Sequence, residues 1–295
     1  MRKQKPKVVV VLGQTATGKS DLAVLIAQKI NGEIISADSR QVYTNLDIGS
    51  GKITKKEMGK VPHYLLDVVN PKKVFSVAEY KKLADEKIVD IIARGKTPII
   101  CGGTGFYIDA VVHNIVLPPV APNIQLRKEL NLKSEIELLR ILQKIDSVRA
   151  KTIDTKNKVR LIRAIEIATA LGSVPVPEKK SSPYNFIKIG LFAPKDFLAQ
   201  KIEKRLLSRI KKGMLSEAKK LHENGLSWKR MEELGLEYRF MALYLQGKIS
   251  KEEMLRDLQT AIIQYSKRQM VWFKRDKKIH WFDVSNSYSV DGLLE

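Results

Sequence analysis

The chain has 295 residues, 44% of them hydrophobic and 29% charged. These proportions exclude an intrinsically disordered protein and fit one large domain, or one domain carrying a smaller one. A single cysteine, Cys101, excludes an intrachain disulfide and a cysteine-rich metal site. The formal net charge of +21 predicts either a polyanionic partner or a lysine-rich solvated surface, and charge alone does not decide between them.

Strand and helix patterns alternate over the first 119 residues. β-branched apolar runs predict buried strands, and apolar residues at helical spacing predict amphipathic helices. Such alternation is typical of an α/β fold with a largely parallel sheet. The predicted elements are strands at residues 7–12, 33–37 and 97–101, and helices at residues 19–30 and 76–94, the second with a capping box of Ser76 and Glu79.

A helical segment then interrupts the alternation. Residues 124–171 show only helical periodicity. Between Pro122 and Arg163 there are eleven Lys and Arg residues against five Asp and Glu residues, so this segment is locally basic. We predict that residues 120–184 form a helical insert.

Strand patterns return after a loop marked by Pro175, Pro177 and Pro183. Residues 187–193 predict a core strand, residues 280–284 a short final strand, and the sequence between them is mostly helical. We therefore predict that residues 1–119 and 185–295 together form the core, with helices towards the C-terminus.

The turn between the first strand and the first helix matches the phosphate-binding motif G-x-x-x-x-G-K-[ST] in full. Its backbone N–H groups and the helix N-terminus suit a bound diphosphate, Lys19 can neutralise a terminal phosphate, and the Ser20 hydroxyl can ligate Mg²⁺. The fold class is therefore α/β with a P-loop NTPase-like core. The motif residues are Gly13, Gln14, Thr15, Ala16, Thr17, Gly18, Lys19 and Ser20.

An ordinary ATPase or kinase also needs an apolar strand that ends in a metal-binding Asp. The strand at residues 97–101 ends in Cys101 and continues into a glycine turn instead. The strand ending at Ala37 is followed by Asp38. ATP hydrolysis is therefore less well supported than diphosphate binding.

Seven segments in order and spacing closely resemble the tRNA dimethylallyltransferase family, also called tRNA isopentenyltransferases. The likeness extends from Val8 to about Asp283, and the lack of the Cys/His cluster that eukaryotic members carry indicates the bacterial form. The segments are IISADSRQVYTNLDIGSGK (34–52), PHYLLDVVNP (62–71), FSVAEY (75–80), GGTGFYI (102–108), NKVRLIRAIEI (157–167), GLEYR (235–239) and KRQMVWFKRD (267–276).

The resemblance implies a reaction. Members of this family transfer a dimethylallyl group from dimethylallyl diphosphate to the exocyclic amine of the adenosine adjacent to the anticodon on its 3′ side. Diphosphate leaves with the help of Mg²⁺, so the P-loop is expected to hold the donor rather than ATP.

The resemblance also implies four catalytic residues. Asp38 is expected to be the general base, and Lys19, Thr104 and Arg239 are expected to stabilise the leaving diphosphate. The three of these residues that follow the P-loop also have structural alternatives: Asp38 as a turn cap, Thr104 as a helix N-cap, and Arg239 as a solvated arginine.

Contacts with tRNA are implied in three places. Ser39, Arg40 and Gln41 follow the expected base, and with Asp38 and Thr104 they can reach the target nucleotide. Basic side chains in the other two segments suit phosphate contacts, and glutamine suits a base edge. Those segments contribute Val159, Arg160 and Arg163, and Lys267, Arg268 and Gln269. Trp228, Trp272 and Trp281 are expected to be half-buried core residues rather than base-stacking platforms.

Two alternatives stay open. An adenylate isopentenyltransferase acting on free nucleotides shares the P-loop, Asp38 and Thr104, whereas an RNA-binding P-loop ATPase explains the P-loop and the charge. No apolar run approaches the length of a transmembrane helix, so we expect a cytoplasmic protein that does not bind membranes. Nothing in the sequence indicates an obligate oligomer, and a monomer is expected.

Overall fold

Six parallel strands form one sheet in the part of the chain that the computed structural model describes, residues 4–176, 178 and 181–286. Their order across the sheet is β3-β2-β4-β1-β5-β6. This confirms the predicted α/β class with a parallel sheet. The strands are β1 (Lys7–Gly13), β2 (Gly32–Ser36), β3 (His63–Tyr64), β4 (Thr97–Gly102), β5 (Asn185–Phe192) and β6 (Ile279–Asp283).

β1 is a central strand because its run of valines can be buried on both faces. Val8 and Val10 pack into one hydrophobic cluster, and Val9 and Val11 pack into another. Continuous apolar runs of this kind are typical of parallel strands covered by helices on both sides. β4 lies on one side of β1 and β2 lies beyond it, so the carboxyl ends of three neighbouring strands meet at one edge of the sheet.

The chain divides into two compact units. One comprises residues 1–114 and 181–295, and the other residues 115–180. The sequence analysis placed the divisions at residues 120 and 184. Pro177, one of the three prolines used for the second division, lies outside the described residues.

Helices account for the predicted periodicity of residues 124–171. Serine, asparagine and aspartate residues cap their N-termini, and Ser134 forms a capping box with Glu137. The helical prediction for this segment is therefore confirmed. The second unit contains α5 (Ile124–Asn131), α6 (Glu135–Ile145), α7 (Ser147–Thr152) and α8 (Lys158–Leu171).

The helices of the first unit begin close to where the sequence predicts. α1 starts at Lys19 and ends at Ile30, and α3 is capped by Ser76 and Glu79 as expected. The short α2 and β3 were not predicted, because four and two residues carry too little periodicity to detect. The helices are α1 (Lys19–Ile30), α2 (Lys55–Met58), α3 (Val77–Ala93), α4 (Gly105–Val112), α9 (Lys195–Lys211), α10 (Met214–Glu223), α11 (Trp228–Leu234), α12 (Leu236–Leu245) and α13 (Lys251–Phe273). Among the described residues, none of the helices has the length and apolar character needed to cross a membrane.

Candidate active site

The P-loop connects β1 to α1 with a backbone that needs glycine at two points. A Cβ atom on Gly13 would lie 2.1 Å from the carbonyl oxygen of Leu191, so the loop can pass β5 at this distance only with glycine. Gly18 precedes α1 with a φ of 85°, in the left-handed region. The Thr17 hydroxyl donates to the carbonyl oxygen of Gln14 at 2.8 Å and closes the loop on itself.

Helix α13 holds the P-loop from outside. Gln269 accepts a hydrogen bond from the Thr15 N–H at 2.7 Å and donates one to the Gly103 carbonyl at 2.9 Å. Gln14 donates to the Ser266 hydroxyl at 3.0 Å. Gln269 was expected to read a base edge, but it is buried and both ends of its amide are engaged. In the structure Gln269 joins the P-loop to the glycine turn after β4.

Lys19 occupies the position that the motif predicts. Its ammonium group donates to the Gln14 carbonyl at 2.5 Å and lies in the wall of a cavity. The pKa of Lys19 is lowered to about 8, mainly by burial and also by the charge of Arg205, whereas Cys101 and Asp38 act in the opposite direction. A cation that is poorly compensated by the protein is well suited to bind an anionic ligand.

Asp38 follows β2 and lines the same cavity. Its Oδ1 atom accepts hydrogen bonds from the N–H groups of Arg40, at 2.8 Å, and Gln41, at 3.3 Å. Among the described residues, no group donates a hydrogen bond to Oδ2. The turn-cap role is therefore observed, and it leaves one carboxyl oxygen for a substrate.

Thr104 links two of the strand ends. Its hydroxyl accepts a hydrogen bond from the Ser39 N–H at 3.0 Å, and its own N–H donates to the Ala37 carbonyl at 3.1 Å. It stands at the N-cap position of α4, but its side chain makes no capping hydrogen bond. The N-cap position is therefore as expected, but the hydroxyl braces the turn that carries Asp38 instead of capping the helix.

A cavity of about 990 Å³ at the carboxyl edge of the sheet is lined by Lys19, Asp38 and Gln269. The P-loop, the turn after β2 and the glycine turn after β4 form part of its wall, and α9 contributes a basic face. Ten of the predicted site residues lie on the cavity wall: Thr15, Ala16, Gly18, Lys19, Ser20, Asp38, Ser39, Arg40, Gln41 and Gln269.

Arg239 does not take the place expected of it. Arg239 is exposed on α12, and among the described residues it does not line the cavity. Two other residues of the GLEYR segment, Leu236 and Glu237, do line it. The structure does not bring Arg239 together with Lys19 and Asp38, because on a helix a shift of two residues turns a side chain to a different face.

Helix α9 supplies the cations that sequence reasoning missed. Arg205 and Arg209 line the cavity together with Lys201, Lys204 and Lys212. Basic residues in the sequence KIEKRLLSRIKK recur at spacings of three and four, which on a helix is one continuous face. That periodicity predicts a basic helix face, but it does not indicate which site the face lines.

The remaining expected tRNA contacts are of two kinds. Lys267 and Arg268 are exposed on α13, and in the second unit Val159 is 77% exposed and Arg160 is also exposed. Arg163 is committed within that unit: it pairs with buried Glu166 and donates to the Val120 carbonyl at 2.9 Å. Arg163 therefore serves the structure of its unit.

The three tryptophans are half-buried, as expected. Trp272 donates to Asp109 at 2.9 Å and packs edge-on against Phe106. Trp228 stacks on His222, and Trp281 packs against the core beside β5. These contacts occupy the ring faces and edges and agree with the interpretation as core residues.

Oxygen groups suited to Mg²⁺ are present but few. The described residues contain no group of three or more metal-ligating His, Cys, Asp or Glu side chains. Ser20, Asp21 and Asp38 line the same cavity and offer hydroxyl and carboxylate oxygens. Mg²⁺ commonly takes one or two protein ligands and completes its shell with water and substrate phosphates, and this donor set fits that pattern.

The fold and the site define a P-loop protein with a diphosphate cavity and a carboxylate beside it. Residues 41–276 match the family model described as IPP transferase. The chain is 44% identical over 282 residues to tRNA dimethylallyltransferase 2 of Treponema denticola, covering 92% of this chain and 94% of the relative. The chain therefore belongs to the IPP transferase family, and bacterial relatives such as that of Treponema denticola are tRNA dimethylallyltransferases.

Solved structures agree with this family. The full-length tRNA isopentenylpyrophosphate transferase of Bacillus halodurans is 36% identical and superposes with a TM-score of 0.74, covering 99% of this chain and 94% of that one. A eukaryotic dimethylallyltransferase acting on tRNA has a TM-score of 0.77 at 24% identity, covering 95% and 74%, which shows a shared fold.

Proposed function

We propose that this protein transfers the dimethylallyl group of dimethylallyl diphosphate to the exocyclic amine of the adenosine adjacent to the anticodon on its 3′ side in tRNA. The proposal treats the protein as a cytoplasmic monomer that uses Mg²⁺. One observation carries it: the P-loop residues Lys19 and Ser20 and the carboxylate of Asp38 line a single cavity.

The adenine amine is a weak nucleophile, so it benefits from a base that takes its proton during attack. The nitrogen lone pair forms a bond to the first carbon of the prenyl group, and the carbon–oxygen bond to diphosphate breaks. The amine proton passes to the Oδ2 atom of Asp38, whose Oδ1 atom is held by the N–H groups of Arg40 and Gln41. This backbone anchor fixes the orientation of the carboxylate before the substrate arrives.

Negative charge accumulates on the diphosphate as its bond to carbon breaks. Preorganised donors lower the barrier at that point, and the P-loop N–H groups and the Lys19 ammonium serve this purpose. Gln269 and Gln14 hold the loop in place, so that little reorganisation is needed. Thr104 contributes by bracing the turn at Ser39.

Mg²⁺ would be held by the Ser20 hydroxyl, with Asp21 or Asp38 near it, and by the substrate diphosphate. When bound, it neutralises part of the charge of the leaving group. The chain's own residues retain the tasks of orienting the diphosphate and accepting the proton.

A tRNA acceptor is supported by the charge distribution. The net charge is +21, and exposed cations occur both on α13, at Lys267 and Arg268, and at Arg160 in the second unit. Such groups bind RNA phosphates through counterion release. A free nucleotide needs no such extended basic surface, which makes an adenylate isopentenyltransferase the weaker alternative.

The direct test incubates the protein with labelled dimethylallyl diphosphate, Mg²⁺ and unmodified tRNA, and then maps the labelled nucleoside. Label on the adenosine adjacent to the anticodon on its 3′ side is the expected result. Parallel reactions contain AMP in place of tRNA, or ATP in place of the prenyl donor. Prenylation of AMP at a comparable rate, or RNA-stimulated ATP hydrolysis without prenyl transfer, would reject the proposal.

A further inference from the structure

A loop that follows the Asp38 turn forms part of the wall of the catalytic cavity. Residues 44–52, all of them described by the structure, contain no helix or strand. Several of them line the cavity together with Asp38, among them Asp47, Ile48 and Gly51. Because the loop lacks the hydrogen bonds of regular structure, its backbone groups need other partners to hold one position.

Glu217 on α10 supplies those partners. Its Oε2 atom accepts hydrogen bonds from the N–H groups of Asp47, at 2.9 Å, and Ile48, at 2.7 Å. Its Oε1 atom accepts one from the Gly49 N–H at 3.0 Å. Three consecutive N–H groups thus converge on one carboxylate, as they do on a bound anion in a backbone nest. Here the protein supplies the anion itself, from the first turn of a helix, where a negative charge is favoured.

Tyr238 on α12 completes the environment of this carboxylate. Its hydroxyl donates to Glu217 Oε1 at 2.8 Å, and its side chain is fully buried. A Cβ atom on Gly49 would lie 2.7 Å from the Tyr238 hydroxyl oxygen, so the loop can pass the ring this closely only with glycine. Four hydrogen bonds and this close contact therefore fix the loop against α10 and α12.

Gln41 connects the loop to the carboxylate of Asp38. Its side-chain amide donates to the Gly51 carbonyl at 3.3 Å, and its backbone N–H donates to Asp38 Oδ1, also at 3.3 Å. Both distances are at the long end of the range for N–H···O hydrogen bonds, so a small displacement of the loop breaks the connection. The position of the loop thus bears directly on how the Asp38 carboxylate is held.

We propose that Glu217 is a positioning residue for the transfer reaction, which orients the Asp38 carboxylate through the loop, Gly51 and Gln41. The inference rests on the proposed function, in which Asp38 accepts the amine proton. Among the described residues that line the cavity, Glu217 is not included, so it acts through the loop rather than on a substrate. A misplaced base slows proton transfer while most ground-state contacts survive, so Glu217 affects kcat more than affinity.

Glu217→Gln tests the role with little change of shape. One carboxylate oxygen becomes an amide NH₂ group, which cannot accept a hydrogen bond from the loop. The kcat for prenyl transfer should fall by about ten- to hundredfold, the cost of misplacing a reacting group from a distance. Kd values for tRNA and for dimethylallyl diphosphate should stay within about threefold of wild type. A wild-type kcat, with or without a lower melting temperature, would overturn the inference.

Two control variants separate positioning from loss of charge and loss of stability. Glu223→Gln removes an equal charge from an exposed position on the same helix and should match wild type. Ile88→Val trims a buried residue of α3 in a different hydrophobic cluster from that of Tyr238, so it should lower the melting temperature and keep kcat. If Ile88→Val slowed turnover as much as Glu217→Gln, instability would explain the effect and the inference would be wrong.

A double variant tests the route through Asp38. If Glu217 acts by orienting that carboxylate, Glu217→Gln should cost little further rate once Asp38→Asn has removed the base. Single-turnover kinetics of the two single variants and the double variant measure this coupling. An equal fold-loss in both backgrounds would contradict the route.

Amide hydrogen exchange tests the structural step without any prenyl transfer. In Glu217→Gln the amides of residues 47–49 and of Gln41 should exchange faster than in wild type, whereas Glu223→Gln should leave them unchanged. Unchanged exchange at residues 47–49 in Glu217→Gln would show that Glu217 does not hold the loop, and would overturn the inference. A wild-type protein that transferred no prenyl group would reject the proposed function instead, and the exchange measurement would still report on the loop.

Discussion

Asp38 uses the two oxygens of its carboxyl group differently. Oδ1 accepts two backbone hydrogen bonds and closes the turn after β2, whereas Oδ2 has no donor among the described residues. A residue type common in turns is therefore compatible with a catalytic role. The structure shows the turn-cap role of Asp38 and leaves its Oδ2 atom accessible to a proposed catalytic role.

Asp38→Asn should separate chemistry from binding. The amide oxygen can still accept from the Arg40 and Gln41 N–H groups, so the turn survives while the base is lost. Turnover should fall by roughly two to four orders of magnitude, the usual range for a positioned general base. Affinities for tRNA and donor should change far less. Single-turnover kinetics measure this, and a near-normal rate would show that no such base is needed.

Lys19→Ala should weaken donor binding and slow transfer. The ammonium group contacts the Gln14 carbonyl in the protein alone, and a bound diphosphate would provide a charged partner. Folding should be nearly intact because the loop keeps its anchors at Gln269 and Ser266. Steady-state kinetics with dimethylallyl diphosphate, together with a thermal melt, check both points. Unchanged kinetics would remove Lys19 from the donor site.

At the scale of elements, the second unit is organised around a buried carboxylate. Glu166 on α8 accepts from Arg127 at 2.9 and 2.8 Å, from Arg163, and from the Asn123 N–H at 2.6 Å. Burial alone would raise the pKa of Glu166, but these hydrogen bonds outweigh it and lower the pKa to about 2. The network joins α5 to α8.

This network should make the second unit acid-sensitive. Because the pKa of Glu166 is lower in the folded protein than its ordinary value of 4.5, its contribution to stability is complete above about pH 4.5. The contribution is lost as the pH falls towards 2. Glu166→Gln should lower the free energy of unfolding by about 1–3 kcal/mol at pH 7 and flatten the acid dependence.

Circular dichroism during urea unfolding of the full chain at several pH values measures both effects. Glu129→Gln removes an exposed carboxylate from α5 and is the matched control. Equal acid sensitivity in wild type and Glu166→Gln would contradict the assignment.

Elements formed by local patterns could be predicted from the sequence, and contacts between distant elements could not. Local sequence is enough to predict β1 from its valines, the P-loop from its glycines and the start of α3 from its capping box. The sequence did not indicate that Arg205 and Glu237 line the cavity, because this depends on how α9 and α12 pack in the folded chain. The contact between Gln269 and the P-loop could not be predicted for the same reason, since its partner Thr15 is 254 residues away.

At the scale of the whole molecule, the structure divides the cations behind the net charge of +21 into paired and exposed groups. Some cations are used internally, as Arg94 and Lys96 are with buried Glu33 and as Arg127 and Arg163 are with Glu166. Others, including Arg160, Lys267 and Arg268, are exposed. The count of charges alone could not separate these groups, because pairing depends on tertiary structure.

Affinity for tRNA should fall steeply with salt. Neutralising several phosphates releases counterions, so the Kd should rise by roughly one to three orders of magnitude between about 50 and 200 mM salt. Arg160→Glu should weaken binding and reduce the slope, while Kd for the donor barely changes. Filter binding at several salt concentrations measures the effect.

Lys82→Glu is the control for Arg160→Glu, since it changes the net charge equally at an exposed position on α3. Arg163 is unsuitable for charge reversal because it is paired with Glu166. A tRNA affinity independent of salt would exclude electrostatic docking.

The bonds from α13 to the P-loop have a consequence for protein synthesis. Thr15 and Gln14 of the phosphate-binding motif are synthesised 254 and 252 residues before their respective partners Gln269 and Ser266. β5, which packs against Gly13, also arrives after the helical insert. A nascent chain therefore carries the complete motif long before it has a finished binding site, and we expect diphosphate to stabilise the protein only after α13 has been synthesised.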